Sequence, residues 1–138
     1  SKDDWVPVLT VRDRAKNTYE AVVPSVTSAT LHQELAGKLE KDSVLCSDGY
    51  KPYIALSEKN DLIHKRLDVA GGVKVIDKVF HIQNVNAYHS RLKAWIKRFH
   101  GVATKYLEHY LGWFRFMDNP ENLNGNRLFS IQQQLIRT

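Results

Sequence analysis

Two β-rich segments open the pattern of hydrophobic and polar positions. Residues 5–11 are nearly continuously apolar, and residues 18–26 again favour a strand. The polar run 13–17 lies between them, which predicts a hairpin. Leu31, Leu35 and Leu39 then recur every four residues, which predicts a helix over residues 29–40 with Ser28 as its N-terminal cap.

The middle of the chain alternates short strands and helices. Residues 43–46 form a short apolar run that predicts a buried strand leading directly into Ser47-Asp48-Gly49. Pro52 suits the first turn of a helix over residues 52–58. Residues 62–69 resume strand character until Gly71-Gly72, after which a loop is expected.

Helical periodicity is clearest from residue 85 onward. The apolar positions of the first helix fall on one face before Gly101 ends it, and they are Val85, Tyr88, Leu92, Trp95, Ile96 and Phe99. Thr104 can cap a second helix to about residue 118, with a buried face of Leu107, Tyr110, Leu111, Phe114 and Met117. Residues 119–127 resemble a loop, and residues 128–136 are expected to form a short helix or a tail. This order predicts one mixed α/β domain over residues 1–138.

Composition narrows the class of protein. A chain of 138 residues has the length of one globular domain, and no apolar run approaches the ~20 residues that span a bilayer. No signal sequence is evident, so we expect a soluble, cytoplasmic protein without a membrane partner. The single cysteine, Cys46, agrees with a reducing compartment and is expected to be a buried apolar residue. The absence of an initial methionine suggests a piece of a longer protein.

The basic residues are concentrated around the first long helix. The net charge is +5, and Arg91, Lys93, Lys97, Arg98 and Lys105 lie within a segment that contains no acid. Such a surface favours an anionic partner such as a nucleic-acid backbone. The alternative is an ordinary solvated helix face.

Three residues have the chemistry of a metal-assisted phosphodiester site. Asp48 follows a predicted strand, where ligand crevices form in open α/β sheets. Asn86 and Lys93 are seven residues apart, so they differ by only ~20° around a helix. Aspartate and asparagine oxygens suit Mg²⁺, and a lysine would neutralise phosphate. Each also has a simpler role: Asp48 as a turn residue, Asn86 as a solvent-facing amide, and Lys93 as a solvated cation. His81 and His89 are expected to be satisfied polar residues.

Two stretches carry a family resemblance. SDGYKPY (47–53) and HIQNVNAYHSRLKAWIKRFHGVATKYLEHYLGW (81–113) resemble the catalytic region of bacterial insertion-sequence transposases of the ISXO-like group, which are DDE-type enzymes with asparagine replacing the last acid in some branches. The resemblance implies a ribonuclease H-like mixed sheet flanked by helices. It makes Asp48 the second acid, places Asn86 at the third position, and makes Lys93 the family's basic residue. It also implies two Mg²⁺ or Mn²⁺ ions, DNA as partner, a homo-oligomer, and association with the bacterial nucleoid.

One feature of the family is not matched. Its first aspartate lies on a first strand that we expect this chain to lack, so the domain is expected to be N-terminally truncated and inactive alone. Asp13, at the end of a strand, is the fallback for that acid. The family's first strand is central in the sheet, so its loss would leave the fragment poorly stable or require another strand in its place. The alternative function is a non-catalytic ribonuclease H-like module that binds DNA or a partner.

Overall fold

The computed structural model describes residues 5–15, 17–68, 70–77, 80–118 and 128–137. These residues form one five-stranded sheet with helices on both faces. The elements in chain order are β1 (Trp5–Asp13), β2 (Thr18–Val22), α1 (Ser28–Leu35), β3 (Val44–Ser47), α2 (Lys51–Lys59), β4 (Ile63–Arg66), α3 (Gln83–Lys97), a 3-10 helix (Thr104–Tyr106), α4 (Leu107–Asp118) and β5 (Leu128–Arg137).

The sheet is mixed, and its strand order is β2-β1-β5-β3-β4. β1 pairs antiparallel with β2 and with β5, whereas β3 pairs parallel with β4 and with β5. This α/β arrangement is consistent with a ribonuclease H-like domain and confirms the predicted fold class.

The prediction for the C-terminal segment was wrong, because residues 128–137 form a strand and not a helix or tail. β5 lies in the middle of the sheet and hydrogen-bonds to a neighbour on each side. Its Phe129 and Ile131 enter the core on one face, while Ile136 enters the core on the other. A strand therefore occupies the central position that the resemblance left open. Residues 119–127 of the predicted loop lie outside the described residues.

One face of the sheet is covered by α1 and α2. Leu31, Leu35 and Leu39 are all buried there, as their spacing predicted, although α1 ends at Leu35 and Leu39 lies in the following turn. The N-terminal cap is Thr27 and not Ser28. The Thr30 amide donates to Oγ1 of Thr27 at 3.2 Å, and the Thr27 amide donates to Oγ1 of Thr30 at 2.9 Å, which forms a capping box.

The opposite face is covered by α3 and α4. The inward residues of α3 are Val85, Tyr88, Leu92 and Ile96, as predicted. Phe99 is 36% exposed because α3 ends at Lys97 and the chain then turns at His100, whose φ is 53°. Met117 is 51% exposed, contrary to prediction, because the neighbouring Asp118 takes the inward direction in the last turn of α4.

The remaining elements agree with the sequence pattern to within a few residues at each end. The largest differences are in β2 and β4, which are shorter than the strands predicted over residues 18–26 and 62–69. Cys46 is a free, buried cysteine, as predicted. Within the described ranges, no helix is both long enough and apolar enough to cross a membrane.

Candidate active site

Asp48 lies at the carboxyl edge of the parallel part of the sheet. It is the first residue after β3 and is exposed. Its Oδ1 accepts a hydrogen bond of 3.0 Å from the Tyr50 amide, so Asp48 also acts as the turn residue that the Asp-Gly pair indicates. Cys46 of β3 is paired with Ser130 of β5. Continuing that register by two residues on each strand brings Asp48 level with Gln132.

The charge of Asp48 acts on two neighbouring side chains. Burial, followed by the Asp48 carboxylate, raises the pKa of Tyr53, while the Gln133 backbone opposes this rise. Burial and then Arg66 lower the pKa of His64, an effect that Asp48 opposes. Asp48 and the backbone of Gln133 therefore act on the same tyrosine hydroxyl.

Asn86 and Lys93 line one pocket between α3 and β5. Its volume is about 260 Å³, and its lining residues are Asn86, His89, Ser90, Lys93, Gln132, Gln133 and Gln134. The seven-residue spacing thus brings the amide and the amine to the same cavity, as predicted. Asp48 itself is not among these lining residues. Gln132 connects the two positions, because it lines the pocket with Asn86 and is level with Asp48 in the extended strand register.

Several buried polar atoms between the sheet and α3 have no hydrogen-bond partner among the residues that the structure describes. They are Oγ1 of Thr10, Nε2 of His89, Oε1 of Gln132, and both amide atoms of Gln134. Thr10 and Gln132 are direct cross-strand partners. A buried polar atom without a partner costs about 1–3 kcal/mol. Ordered water or a ligand that fills the pocket would reduce this cost.

His89 was expected to be a satisfied polar residue, but within the described part of the chain its Nε2 has no hydrogen-bond partner although the residue is only 5% exposed. Burial is the main reason that the pKa of His89 is lowered to about 3, and Lys93 and Arg12 lower it further. The imidazole is therefore neutral near pH 7 and can exchange hydrogen bonds without adding charge. His81, in contrast, contacts Arg14 through Nε2 at 2.7 Å.

The predicted basic surface is only partly available for an anion. Lys93, Lys97, Arg98 and Lys105 are exposed. Arg91 instead forms an ion pair with Asp118, in which Nη2 lies 2.8 Å from Oδ1. The Lys105 ammonium lies 5.0 Å from the centre of the Tyr106 ring. Lys93 and Lys97 are therefore the exposed cations on the side of α3 that faces β5.

Asp13 does not join this edge. It is paired with Phe129 of β5, three residues before Gln132, and it is buried. Its carboxylate accepts hydrogen bonds from the backbone amide and the side chain of Asn17, at 2.9 and 3.0 Å. The position and hydrogen bonds of Asp13 therefore do not support its fallback assignment as the first catalytic acid.

The possible metal ligands at this edge of the sheet are oxygen atoms, and few of them carry a negative charge. None of the residues that line the small pocket is acidic, and the part of the chain that the structure describes has no group of three or more His, Cys, Asp or Glu residues able to hold a metal ion. The oxygens are the Asp48 carboxylate and the neutral amide oxygens of Asn86, Gln132 and Gln134. Sequence reasoning missed the glutamines because their position depends on where β5 pairs.

The fold and this edge define a mixed α/β domain with a polar site beside a basic helix. The chain belongs to the family of ISXO2-like transposase domains, whose family model matches residues 1–119. It is 24% identical over 119 residues to an uncharacterized transposase-like protein of Haemophilus influenzae, covering 86% of this chain and 93% of that protein. No solved structure matches the chain at a significant level. β5 lies beyond the residues that the family model matches.

Proposed function

We propose that this domain is the catalytic domain of a DNA transposase, and that it cleaves and joins DNA strands at the edge formed by Asp48, Asn86 and Lys93. The observation that carries the proposal is the placement of Gln132. It lines the same pocket as Asn86 and Lys93, and its register brings it level with Asp48. In this proposal one phosphodiester contacts all three residues.

Lys93 has the role of an electrostatic partner for phosphate. Its ammonium is exposed, lines the pocket, and has no ion pair within the described ranges. A cation beside a reacting phosphate stabilises the charge that develops in the transition state. Lys97, one turn further along α3, extends the positive surface along the DNA backbone.

The residues present fit one divalent cation. A cation at this edge needs a third oxygen ligand beside the Asp48 carboxylate and the Asn86 carbonyl. The buried Oε1 of Gln132, which has no partner among the described residues, can supply it. Bound there, Mg²⁺ or Mn²⁺ would polarise the phosphodiester and activate the attacking oxygen. Two ions require further carboxylates, so the two-ion arrangement remains a proposal for the complete enzyme. The homo-oligomer and the association with the nucleoid also remain predictions.

Replacing Asp48 by alanine in the full-length transposase tests this function. We expect metal-dependent strand transfer from a labelled transposon end to fall by about a hundredfold or more, since the substitution removes the only charged ligand in the proposed set. Glu58→Ala is the matched control, because Glu58 is an exposed carboxylate on α2. Normal strand transfer by the Asp48→Ala protein would refute the proposal.

The small number of acids favours a second candidate, a non-catalytic module that holds DNA or a partner through α3. A metal titration separates the two candidates. Mg²⁺ should shift the resonances of Asp48 and Asn86 if the domain is catalytic and leave them unchanged if it only binds. Both candidates predict that DNA affinity falls steeply with salt, because phosphate contacts release counterions.

A further inference from the structure

A second cavity lies beyond Lys93, toward the carboxyl end of α3. Its volume is about 630 Å³, which is within the range of about 300–1,000 Å³ typical of ligand pockets. Lys93, Lys97 and His100 line it from the helix side, and Trp5 and Arg137 line it from the sheet. Lys93 lines both this cavity and the smaller pocket that contains Asn86.

The lining combines positive charge with an aromatic surface. Lys93, Lys97 and Arg137 supply cations, and none of the described residues that line this cavity is acidic. Trp5 is 48% exposed although it is a tryptophan on a paired strand. It is the cross-strand partner of Arg137, whose guanidinium carbon lies 5.8 Å from the indole centre. Cations beside an exposed indole suit a ligand that has both a phosphate and a flat ring.

The geometry distinguishes a single strand from a duplex. Proteins that hold unpaired strands stack bases on aromatic side chains and follow the backbone with cations. Duplex DNA, in contrast, is usually contacted by a protruding helix or strand that enters a groove. A concave cavity fits an unpaired nucleotide. Lys93 and Lys97 are separated by about 6 Å along the helix axis, which allows both to contact one stretch of backbone.

We propose that this cavity binds an unpaired nucleotide of the DNA strand whose neighbouring phosphate lies at Lys93. In this arrangement the base stacks on Trp5, and Lys97 and Arg137 neutralise the phosphates that flank it. The inference rests on the proposed function for the identity of the strand. It does not depend on the chemistry at Asp48.

The experiment compares two labelled oligonucleotides that share one duplex, one blunt and one with a short single-stranded extension. Binding to the full-length protein is measured by fluorescence anisotropy. Trp5→Ala should weaken binding of the extended DNA about tenfold, the order of effect expected for one lost stacking contact, and leave binding of the blunt duplex unchanged. Trp5→Phe should retain most of the preference because a ring remains.

Trp113→Ala is the matched control, because Trp113 is 52% exposed on α4 and does not line the cavity. It should leave binding of both oligonucleotides unchanged. Lys97→Ala should reduce the salt dependence of binding by about one counterion, which Trp5→Ala should not do. Circular dichroism of each variant verifies that the fold is retained.

Two outcomes would overturn the inference. One is an equal effect of Trp5→Ala on both oligonucleotides, or no effect on either. The other is that a free mononucleotide displaces the extended DNA as effectively as an unlabelled extended strand does, which would make the occupant a free nucleotide. Asp48→Ala should keep the preference for extended DNA. Failure of the catalytic proposal, seen as normal strand transfer by that variant, is therefore distinguishable from failure of this one.

Discussion

The hydroxyl of Ser47 lies 2.5 Å from Nε2 of His64. The same hydroxyl oxygen accepts a hydrogen bond of 3.0 Å from the Gly49 amide, and the tautomer of His64 decides whether the hydroxyl donates to Nε2 or accepts from it. Burial and then Arg66 lower the pKa of His64, which favours the neutral ring. Ser47 is fully buried. The two residues therefore fix the backbone on both sides of Asp48.

Ser47→Ala should reduce strand transfer by about tenfold while Asp48 remains in place, since even a small displacement of a catalytic group lowers the rate. Ser57→Ala is the matched control, because Ser57 is a buried serine whose hydroxyl donates to the Tyr53 carbonyl at 3.0 Å. Strand transfer and urea unfolding are measured on both proteins. Equal losses of activity in the two variants would show that Ser47 has only a structural role.

The buried guanidinium of Arg12 forms an ion pair with the carboxylate of Asp118. Its guanidinium is 2% exposed and lies 3.2 Å from Oδ2 of Asp118, which joins β1 to the end of α4. Burial lowers the pKa of Arg12, and Asp118 opposes that shift. Asp118→Asn should reduce the free energy of unfolding by about 3 kcal/mol, because it removes the carboxylate charge that is paired with a buried cation.

Arg91→Ala provides the comparison for that measurement, since Arg91 binds the same carboxylate from a side chain that is 46% exposed. Its loss should cost less than about 1 kcal/mol in urea unfolding. If the two substitutions were equally costly, the burial of Arg12 would not be the source of the effect.

β5 should contribute strongly to stability because it is central in the sheet. Ile131 is fully buried against the α1 and α2 face, so Ile131→Ala should reduce the free energy of unfolding by about 2–5 kcal/mol. Leu135 is on the same strand but is 50% exposed. Leu135→Ala should therefore reduce the free energy of unfolding by less than about 1 kcal/mol. Urea unfolding of both variants provides the values. Similar small losses would show that β5 is dispensable.

Much of the fold follows from local patterns. The leucine spacing in α1 and the apolar arc of α3 predicted which residues are buried, because each helix packs one face on the sheet. β5 could not be predicted in this way. Its glutamines at residues 132–134 interrupt the alternation of apolar residues, and glutamine has no strong preference for strands. Long-range pairing with β1 and β3 determines its conformation.

The candidate site, like the fold, could be predicted only in part from the sequence. The spacing of Asn86 and Lys93 is a property of one helix, so the sequence alone placed them on one side. The contributions of Gln132 and the unpartnered His89 depend on contacts between α3 and a strand distant in sequence. No local pattern contains that information.

His89 should make the protein less stable in mild acid. Its pKa is lowered to about 3 from the model-peptide value of 6.5, so the unfolded state binds more protons between these limits. The free energy of unfolding therefore falls as pH decreases through this window, by up to about 1.4 kcal/mol per pH unit. His89→Gln should remove this contribution. Urea unfolding across the window tests the difference between the two proteins.

Glu20 has the opposite effect on stability over part of the same pH range. Burial raises its pKa to about 7, so the folded state binds more protons between 4.5 and 7 and gains stability on acidification. Both proteins contain Glu20, so its effect cancels in the difference. His109→Gln, at an exposed position on α4, is the matched control. Identical pH dependence in the wild-type and His89→Gln proteins would contradict the assignment.

Paramagnetic broadening by Mn²⁺ tests most directly whether Asp48, Asn86 and Gln132 surround one cation. In the wild-type protein, Mn²⁺ should selectively broaden the side-chain amide resonances of Asn86 and Gln132. Asp48→Ala should abolish this effect. The amide of Gln33, exposed on α1, should remain sharp. Unaltered Asn86 and Gln132 resonances, or broadening that persists in the Asp48→Ala protein, would contradict a cation site at this edge.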